Sequence, residues 1–185
     1  MALKATIFKA ALQIADVGRN YYCDHALTIA RHPSETDERM MVRLLAFALH
    51  AHERLAFGTG LSSDDEPDLW QKDLTGAIEM WIDVGQPDEK RLRKACGRAS
   101  QVFVYSYGGH GASMWFEQIE DQLERTKNLT VMKLPTDASQ ALARLARRNM
   151  QLNCTVQDGQ IWFADQSETV EVELVMLKAP SAPLR

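Results

Sequence analysis

Alternating apolar and polar residues from Ala77 to Val84 predict a β-strand. One face of this strand carries the large apolar side chains: Ile78, Met80, Ile82 and Val84. The other face carries Ala77, Glu79, Trp81 and Asp83, because side chains two residues apart share a face. The first face suits a hydrophobic core. The second face places two carboxylates on either side of a tryptophan.

A helix and a second strand are predicted to follow this strand. Gly85-Gln86-Pro87-Asp88 ends the strand and starts the helix, since proline and acidic residues are favoured in the first helical turn. The helix has an apolar stripe of Leu92, Ala95, Cys96 and Ala99, and beside it a basic ridge of Arg91, Lys94 and Arg98. Val102 to Tyr107 reads as the next strand. This order predicts a crossover unit with a parallel strand pair.

The rest of the chain mixes strands and helices. Before the central strand we predict a hairpin of Leu3–Ala15 and Tyr21–Ala30, a helix from Ser34 to about His52, and a strand over Leu55–Ser62. After it we predict helices over Ser113–Lys127 and Asp137–Asn149, strands over Leu129–Leu134, Met150–Gln157, Gln160–Ala164 and Thr169–Leu177, and a loose tail over Ala179–Arg185. The 185 residues favour a single domain of mixed α/β (α+β) class.

The first helix carries a glutamate on its apolar side. Ser34 is the predicted N-cap, with Asp37 in the capping-box position. Glu38 falls on the stripe of Met41 and Leu45, whereas Arg39, Arg43, Ala46 and His50 fall on the opposite, wetter side. A buried carboxylate needs a partner. The alternative is that Glu38 is a solvated acid near the positive end of the helix dipole.

Composition limits the partners of the chain. A net charge of -4 gives no general attraction to nucleic acid or to an anionic membrane, so a DNA or RNA partner would need a local basic patch. The N-terminus has no long apolar run, and no segment is long and apolar enough to span a bilayer. Cys23, Cys96 and Cys154 are odd in number and lie in apolar settings, which predicts reduced core thiols of a cytoplasmic protein.

Two carboxylates on neighbouring segments form the candidate chemistry. Pro67-Asp68 opens a short segment in which Asp68, Trp70 and Lys72 share a face. If this segment pairs with the central strand, Asp68 and Glu79 converge on one point. Such a pair suits Mg²⁺, which takes oxygen ligands and keeps some of its waters. The alternative is a pair of solvated strand-edge acids, neutralised by Lys72 and Arg91.

These residues carry a resemblance to a known superfamily. A helix with Glu38, the strand over 55–62, Pro67-Asp68, a strand with Glu79, the helix over 91–98 and the strand over 102–107 resemble the core of PD-(D/E)xK, or restriction-endonuclease-like, nucleases. The whole chain is more closely similar to the YaeQ family of small bacterial proteins, on four stretches: MALKATIFKAALQIAD, LTIARHPSETDERMMVRLLAF, EPDLWQKD and QDGQIWFAD. That resemblance implies a nuclease-like core over about 34–107, with a mixed sheet flanked by helices and extra antiparallel strands at both ends.

The resemblance also implies roles for particular residues. Asp68 matches the first metal-binding acid, Glu79 the second, and Glu38 the accessory acid of the first helix. Trp81 stands where the superfamily has its lysine, so we expect Lys94 of the following helix to replace it, with Lys72 and Lys90 as alternatives. The metal would be Mg²⁺ or Mn²⁺, and the catalytic set would be Asp68, Glu79, Lys94 and Glu38.

Two classes of function follow from this resemblance. One is a metal-dependent nuclease that hydrolyses phosphodiester bonds in DNA or RNA, with Arg91, Arg98, Lys72 and Trp70 binding the nucleic acid. The other is a non-catalytic scaffold that binds nucleic acid or a protein of the transcription machinery. The two acids favour the first class, and Trp81 in place of the lysine favours the second.

Overall fold

The computed structural model of the protein describes residues 4–59 and 64–181. Within these ranges the helices are α1 (Asp37–His50), α2 (Glu89–Arg98), α3 (His110–Leu123) and α4 (Thr136–Arg144). The strands are β1 (Thr6–Asp16), β2 (Tyr21–Arg31), β3 (Leu55–Phe57), β4 (Leu69–Lys72), β5 (Ile78–Val84), β6 (Ala99–Ser106), β7 (Leu129–Lys133), β8 (Asn149–Gln157), β9 (Gln160–Ala164), β10 (Thr169–Val172) and β11 (Val175–Lys178). The predicted mixed α/β class is confirmed.

Three predicted elements extend beyond the described residues. Leu3 of the first predicted strand, residues 60–62 at the end of the strand predicted over Leu55–Ser62, and residues 182–185 of the predicted tail lie outside them. Within the described range, β3 ends at Phe57 and is shorter than predicted.

The strands form two sheets. The central sheet has the order β11-β7-β6-β5-β4-β3, and the terminal sheet has the order β10-β9-β8-β1-β2. In the central sheet β5, β6 and β7 are parallel, so the predicted crossover from β5 through α2 to β6 is confirmed. β4 and β3 continue this sheet in antiparallel orientation.

The terminal sheet joins the two ends of the chain. The predicted N-terminal hairpin is confirmed, with β1 antiparallel to β2 over its whole length, and β8 pairs in parallel with β1 on the other side. Asp158 and Gly159 both have positive φ, 52° and 78°, as a two-residue hairpin turn between β8 and β9 requires. The single strand predicted over Thr169–Leu177 is wrong: it is split, with β10 in the terminal sheet and β11 in the central sheet.

Helices α1 and α4 lie between the two sheets. One hydrophobic core unites α1, α4, the inner face of the terminal sheet and the face of the central sheet that carries Leu69, Ile82 and Val84. A second core joins the other face of the central sheet, including Trp81, to α2 and α3. Residues 40–48 of α1 are all buried, so this helix has no wet side along its centre. The prediction that Arg43 faces solvent is therefore wrong.

The start of α1 differs from the sequence prediction. Thr36 is the N-cap, and its hydroxyl accepts a hydrogen bond from the backbone N–H of Arg39 at 3.1 Å. Ser34, the predicted cap, lies two residues earlier and its hydroxyl contacts Nδ1 of His32 at 2.6 Å. Cap preferences favour serine and threonine similarly, so the choice between them was set by where the packed part of the helix begins.

Thr36→Ala is expected to lower the free energy of unfolding by about 1 kcal/mol, because it removes the acceptor for an otherwise unpaired helix N–H. Ser34→Ala is the matched control and is expected to change it by less than about 0.5 kcal/mol, as an exposed substitution does. Urea unfolding of both variants provides the measurement. Equal losses would mean that Ser34 contributes to the cap.

The three cysteines differ in how far they are buried. No disulfide is formed, but only Cys154 is buried, while Cys96 is partly exposed and Cys23 is exposed. The prediction that all three are core thiols is wrong for Cys23, which lies on β2 at the edge of the terminal sheet. Among the described residues, no helix is long and apolar enough to cross a membrane.

Candidate functional site

The register between β4 and β5 determines which acids meet. Leu69 pairs with Ile82 in this antiparallel ladder, so the next position along places Asp68 beside Asp83. Glu79 lies four residues earlier on β5, which corresponds to about 13 Å along a strand. The predicted convergence of Asp68 with Glu79 is therefore wrong, and Asp83 is the acid that the strand pairing brings to Asp68.

Glu79 is engaged elsewhere. Its carboxylate accepts a hydrogen bond from Nε2 of Gln71 at 2.8 Å and pairs with the guanidinium of Arg54 at 3.1 Å. The side chain is 38% exposed, so Glu79 is a partly solvated acid as the alternative interpretation expected. It does not lie at a strand edge, because β5 has neighbours on both sides, and its cationic partner is Arg54 rather than Lys72 or Arg91.

Asp68 is held from three directions. Nη2 of Arg39 donates to both carboxylate oxygens at 2.8 and 2.9 Å, and the backbone N–H of Val84 donates to Oδ2 at 2.7 Å. The backbone carbonyl of Asp68 also accepts from the N–H of Gly58 at 2.9 Å, and a Cβ at position 58 would clash with the carbonyl oxygen of the preceding Pro67. Asp68 is only 4% exposed. Burial raises the pKa of its carboxyl, Arg39 opposes the rise, and the nearby Asp83 adds to it.

The carboxylate of Asp83 accepts hydrogen bonds from the guanidinium of Arg91 and the indole of Trp81. Nε and Nη2 of Arg91 each donate to one oxygen of the carboxylate at 2.9 Å, and Nε1 of Trp81 donates to Oδ2 at 3.0 Å. This pairing is the main reason why the pKa of Arg91 is raised. Asp83 is 1% exposed, as is Trp81, so Trp81 packs in the core and orients the carboxylate two residues further on.

A chain of ion pairs connects α1 to Asp68. Arg43 donates through Nε and Nη2 to the two oxygens of Glu35, both at 2.7 Å. Glu35 in turn accepts from Nη1 of Arg39 at 3.0 Å, and Arg39 reaches Asp68 through Nη2. None of these three residues on the α1 side of the network was predicted from the sequence to be functional. The i, i+4, i+8 spacing of Glu35, Arg39 and Arg43 was the signal that could have linked them.

Glu38 does not face the two aspartates. Its carboxylate accepts a hydrogen bond from the hydroxyl of Ser139 on α4 at 2.6 Å. Glu38 therefore has the partner that a carboxylate on this apolar stripe needs, but the partner joins α1 to α4 rather than to a metal. The acid nearest to the aspartates on this side is Glu35, which lies two residues before the start of α1 and bonds to Arg39.

The predicted lysine replacement also lies away from the aspartates. The ammonium of Lys94 pairs with the carboxylate of Asp65, and the Lys94 side chain is 45% exposed. Arg91, one turn earlier on α2, is the cation that reaches Asp83. The position of the cation on α2 determines which one reaches the carboxylates. Arg91 lies in the first turn, close to the end of β5, and contacts Asp83, whereas Lys94 lies one turn further along.

The remaining predicted nucleic-acid residues lie on or beside the β4–β5 surface. The ammonium of Lys72 is 3.5 Å from the centroid of the Trp70 ring, and that ring meets Trp81 edge-on at 6.4 Å. Arg98 lies 5.3 Å from the Trp81 ring and donates to the carbonyl of Asp65 at 2.9 Å. The structure thus brings basic and aromatic side chains together along this face, close to α2.

A cavity of about 490 Å³ opens above the two aspartates. It lies at the carboxyl end of β5, beside the start of α2 and the end of β6, the place where open α/β sheets commonly bind ligands. The charged and amide side chains on its wall are Arg39, Asp64, Asp68, Asp83, Gln86 and Arg91. Three carboxylates against two guanidiniums leave one excess negative charge.

These donors fit one type of metal site. The described residues contain no group of three or more histidine, cysteine, aspartate or glutamate side chains that could hold a metal. Mg²⁺, however, commonly uses one or two carboxylates, retains several waters and takes further oxygens from substrate phosphates. Two adjacent carboxylates in a cavity with excess negative charge match that water-rich mode, once the guanidiniums move off the oxygens.

Comparison with known proteins places the chain in a family. A sequence profile described as YaeQ protein matches residues 1–174. The YaeQ proteins of Salmonella typhi and of Escherichia coli (strain K12) are 45% and 44% identical over 181 residues, covering 98% of this chain and all of theirs. The crystal structure of the Xanthomonas axonopodis pv. citri YaeQ protein superposes with a TM-score of 0.91 at 48% identity, covering 95% of this chain and 99% of that one. The Pseudomonas syringae YaeQ structure gives 0.91 at 36% identity, covering 96% and 98%. The chain therefore belongs to the YaeQ family.

Proposed function

We propose that this protein is a Mg²⁺- or Mn²⁺-dependent phosphodiesterase that acts on nucleic acid, with Asp68 and Asp83 as the metal-binding carboxylates. The observation that carries the proposal is the meeting of two buried carboxylates in a cavity with excess negative charge. A divalent cation offsets that charge, whereas a phosphate alone would add to it. Nucleic acid would thus need the cation in order to approach the two aspartates.

Membership in the PD-(D/E)xK superfamily is part of this proposal. Pro67-Asp68 precedes β4, the second acid lies on the adjacent strand β5, and α2 then crosses to the parallel strand β6, as that superfamily's core requires. With Asp83 as the second acid, Gly85 and not Trp81 stands at the position of the superfamily's lysine. In this assignment Gly85, rather than Trp81, is the residue that replaces the superfamily's lysine.

The bound cation would activate a water and neutralise charge on the scissile phosphate. Asp68 and Asp83 would hold it, each carboxylate oriented by a rigid partner, the N–H of Val84 and the indole of Trp81. Arg91 takes the place expected for Lys94. Because a guanidinium stays charged, Arg91 would position the phosphate and stabilise its charge, but it would not accept a proton.

The face that carries Trp70, Lys72 and Arg98 would receive the flanking nucleotides. Basic side chains supply phosphate contacts that do not depend on sequence, and an exposed aromatic ring can stack on an unpaired base. Trp70 is partly exposed, whereas Trp81 is buried and supports it from below. The proposal therefore assigns base stacking to Trp70 and a supporting role to Trp81.

One observation favours a second function, a scaffold that binds nucleic acid or a protein of the transcription machinery without cleaving it. All four oxygens of Asp68 and Asp83 already accept hydrogen bonds from arginine, indole or backbone donors. None of the described residues that line the cavity is a lysine. A site in which the arginines never leave the carboxylates would bind partners but would not hydrolyse them.

The test measures cleavage of end-labelled single- and double-stranded DNA and RNA, with Mg²⁺, Mn²⁺ or EDTA, by the wild type, Asp68→Asn and Glu171→Gln. Glu171 is an exposed carboxylate of the terminal sheet, so its variant controls for loss of one negative charge. We expect the wild type to cleave the substrates and EDTA to abolish this cleavage. The cleavage rate should fall at least about 100-fold in Asp68→Asn and should stay at the wild-type level in Glu171→Gln. Nucleic-acid binding without cleavage by the wild type would favour the scaffold, and absence of both would exclude a nucleic-acid function.

A further inference from the structure

We infer that Arg39 and Arg91 bind phosphate, and that in the free protein Asp68 and Asp83 occupy their guanidiniums. A divalent cation and a phosphodiester would therefore bind this cavity cooperatively. The inference rests on the proposed function, which it deepens by naming the ligand of the two arginines. In the free protein each guanidinium neutralises one carboxylate. In the ligand-bound protein the cation takes the carboxylates and the phosphate takes the guanidiniums.

Each arginine has a second anchor that would survive the exchange. Nη1 of Arg39 remains bonded to Glu35 at 3.0 Å when Nη2 leaves Asp68. Nη2 of Arg91 also donates to the carbonyl of Glu66 at 2.8 Å, and its Nη1 donates to that of Asp64 at 3.3 Å. Neither guanidinium needs to leave the cavity wall. Small rotations are enough to turn donors from carboxylate oxygens to phosphate oxygens.

The donors suit a phosphate. A guanidinium presents a planar fork of N–H groups that matches phosphate oxygens as well as carboxylate oxygens. Arg39 approaches from the α1 side and Arg91 from α2, and both line the same cavity. A phosphodiester between them would receive charge-assisted hydrogen bonds from two elements at once.

Charge explains why the two ligands depend on one another. With three carboxylates and two guanidiniums, the empty cavity has one excess negative charge. A divalent cation alone converts this into one excess positive charge and leaves two arginines without their carboxylates. A phosphodiester alone raises the excess negative charge to two. Together the ligands leave the lining side chains neutral in total, and the buried Asp68 and Asp83 and the two arginines each face an opposite charge, which offsets part of the cost of burying them.

The size of the effect follows from typical coupling between sites. Coupled binding commonly changes affinity by about 5- to 150-fold, and the change is the same for both ligands because the coupling is reciprocal. We therefore expect Mn²⁺ to bind at least about 10-fold more tightly when a phosphodiester is present, and the phosphodiester to gain by the same factor from Mn²⁺.

Isothermal titration calorimetry with Mn²⁺ tests this directly. The wild type is titrated alone, with a saturating phosphorothioate-linked thymidine dinucleotide, which resists cleavage, and with the methylphosphonate-linked dinucleotide, which keeps the bases but lacks the charge. We expect tighter Mn²⁺ binding with the charged linkage only. Because this comparison uses the wild type, it does not depend on whether any variant folds.

Variants add a second signature. Arg39→Gln and Arg91→Gln are each expected to bind Mn²⁺ alone more tightly than the wild type, since a competitor for the carboxylate is gone, and to lose most of the gain from the charged dinucleotide. Arg144→Gln, an exposed arginine of α4 that pairs with Glu168, is the matched control and should retain the wild-type coupling. Mn²⁺ affinity in the wild type that is equal with both dinucleotides would overturn the inference while leaving the proposed metal site intact. No Mn²⁺ binding under any condition would overturn the proposed function itself.

Discussion

Asp83→Asn is expected to lower metal-dependent cleavage at least about 100-fold, whereas Glu79→Gln is expected to leave it within about twofold of the wild type. The reason is the β4–β5 register, which sets Asp83 beside Asp68 and leaves Glu79 with Gln71 and Arg54. Asparagine keeps the size of the side chain but loses the negative charge that a hard cation requires. Cleavage rates with Mn²⁺ as a function of metal concentration provide the measurement.

The two variants control for each other, because each converts one β5 carboxylate to its amide on the same face of the strand. Thermal unfolding of both would show whether either loses structure. Asp83→Asn leaves Arg91 without its ion-pair partner, so a folded but less stable protein is expected. If Glu79→Gln abolished cleavage and Asp83→Asn did not, the sequence-based assignment of Glu79 as the second acid would be restored.

The elements of the central sheet were predictable because their signals are local. Alternation identified β5, proline and acids in the first turn identified α2, and strand-helix-strand order predicted the parallel pairing of β5 with β6. Asp-Gly is a residue pair that favours two-residue hairpin turns, and Asp158-Gly159 has the positive φ angles of such a turn between β8 and β9. Each of these signals lies within a few residues of the feature that it specifies.

The choice between Glu79 and Asp83 was not settled by alternation, since both lie on one face of β5. The turn between β4 and β5 determines the register, and the register determines which of the two acids lies opposite Asp68. The N–H of Asp73 bonds to the carbonyl of Ala77 at 2.9 Å around Gly76, and counting outward from that pair sets Asp68 opposite a residue near 82. An irregularity beside Lys72 then shifts the register by one, to Asp83. Counting alone would have excluded Glu79 but would not have located the irregularity.

The surroundings of α1 depend on contacts that no local pattern contains. An amphipathic helix is normally assumed to have one wet side, and Arg39 and Arg43 were assigned to it. Arg43 is covered by β2, where its guanidinium donates to the carbonyl of Ala30 at 3.1 Å. Arg39 is covered by the central sheet, where its guanidinium donates to Asp68 and to the carbonyl of Val84. The two arginines therefore became part of the interior, and the network from Arg43 to Asp68 became part of the candidate site.

Arg43→Met is expected to lower the free energy of unfolding by about 3–5 kcal/mol, the range for removing one partner of a buried ion pair. Arg43 and Glu35 are almost completely buried, with side chains 1% and 2% exposed, and the guanidinium also donates to the carbonyl of Ala30 at 3.1 Å. Methionine fills much of the same volume but leaves the Glu35 carboxylate with Arg39 as its remaining cation. Urea unfolding gives the measurement.

The double variant Glu35→Leu with Arg43→Met separates stability from the site. Replacing both buried charges by apolar groups of similar volume is often neutral or stabilising, so we expect the double variant to recover most of the loss seen in Arg43→Met. Arg39 would nevertheless lose its ion pair with Glu35 and would keep only the ion pair with Asp68, so its guanidinium would no longer be anchored on the cavity wall. The double variant should therefore fold well and yet show weakened coupling between Mn²⁺ and the charged dinucleotide. A single variant as stable as the wild type would contradict the assigned role of the pair. Unchanged coupling in a stable double variant would show that Glu35 does not position Arg39.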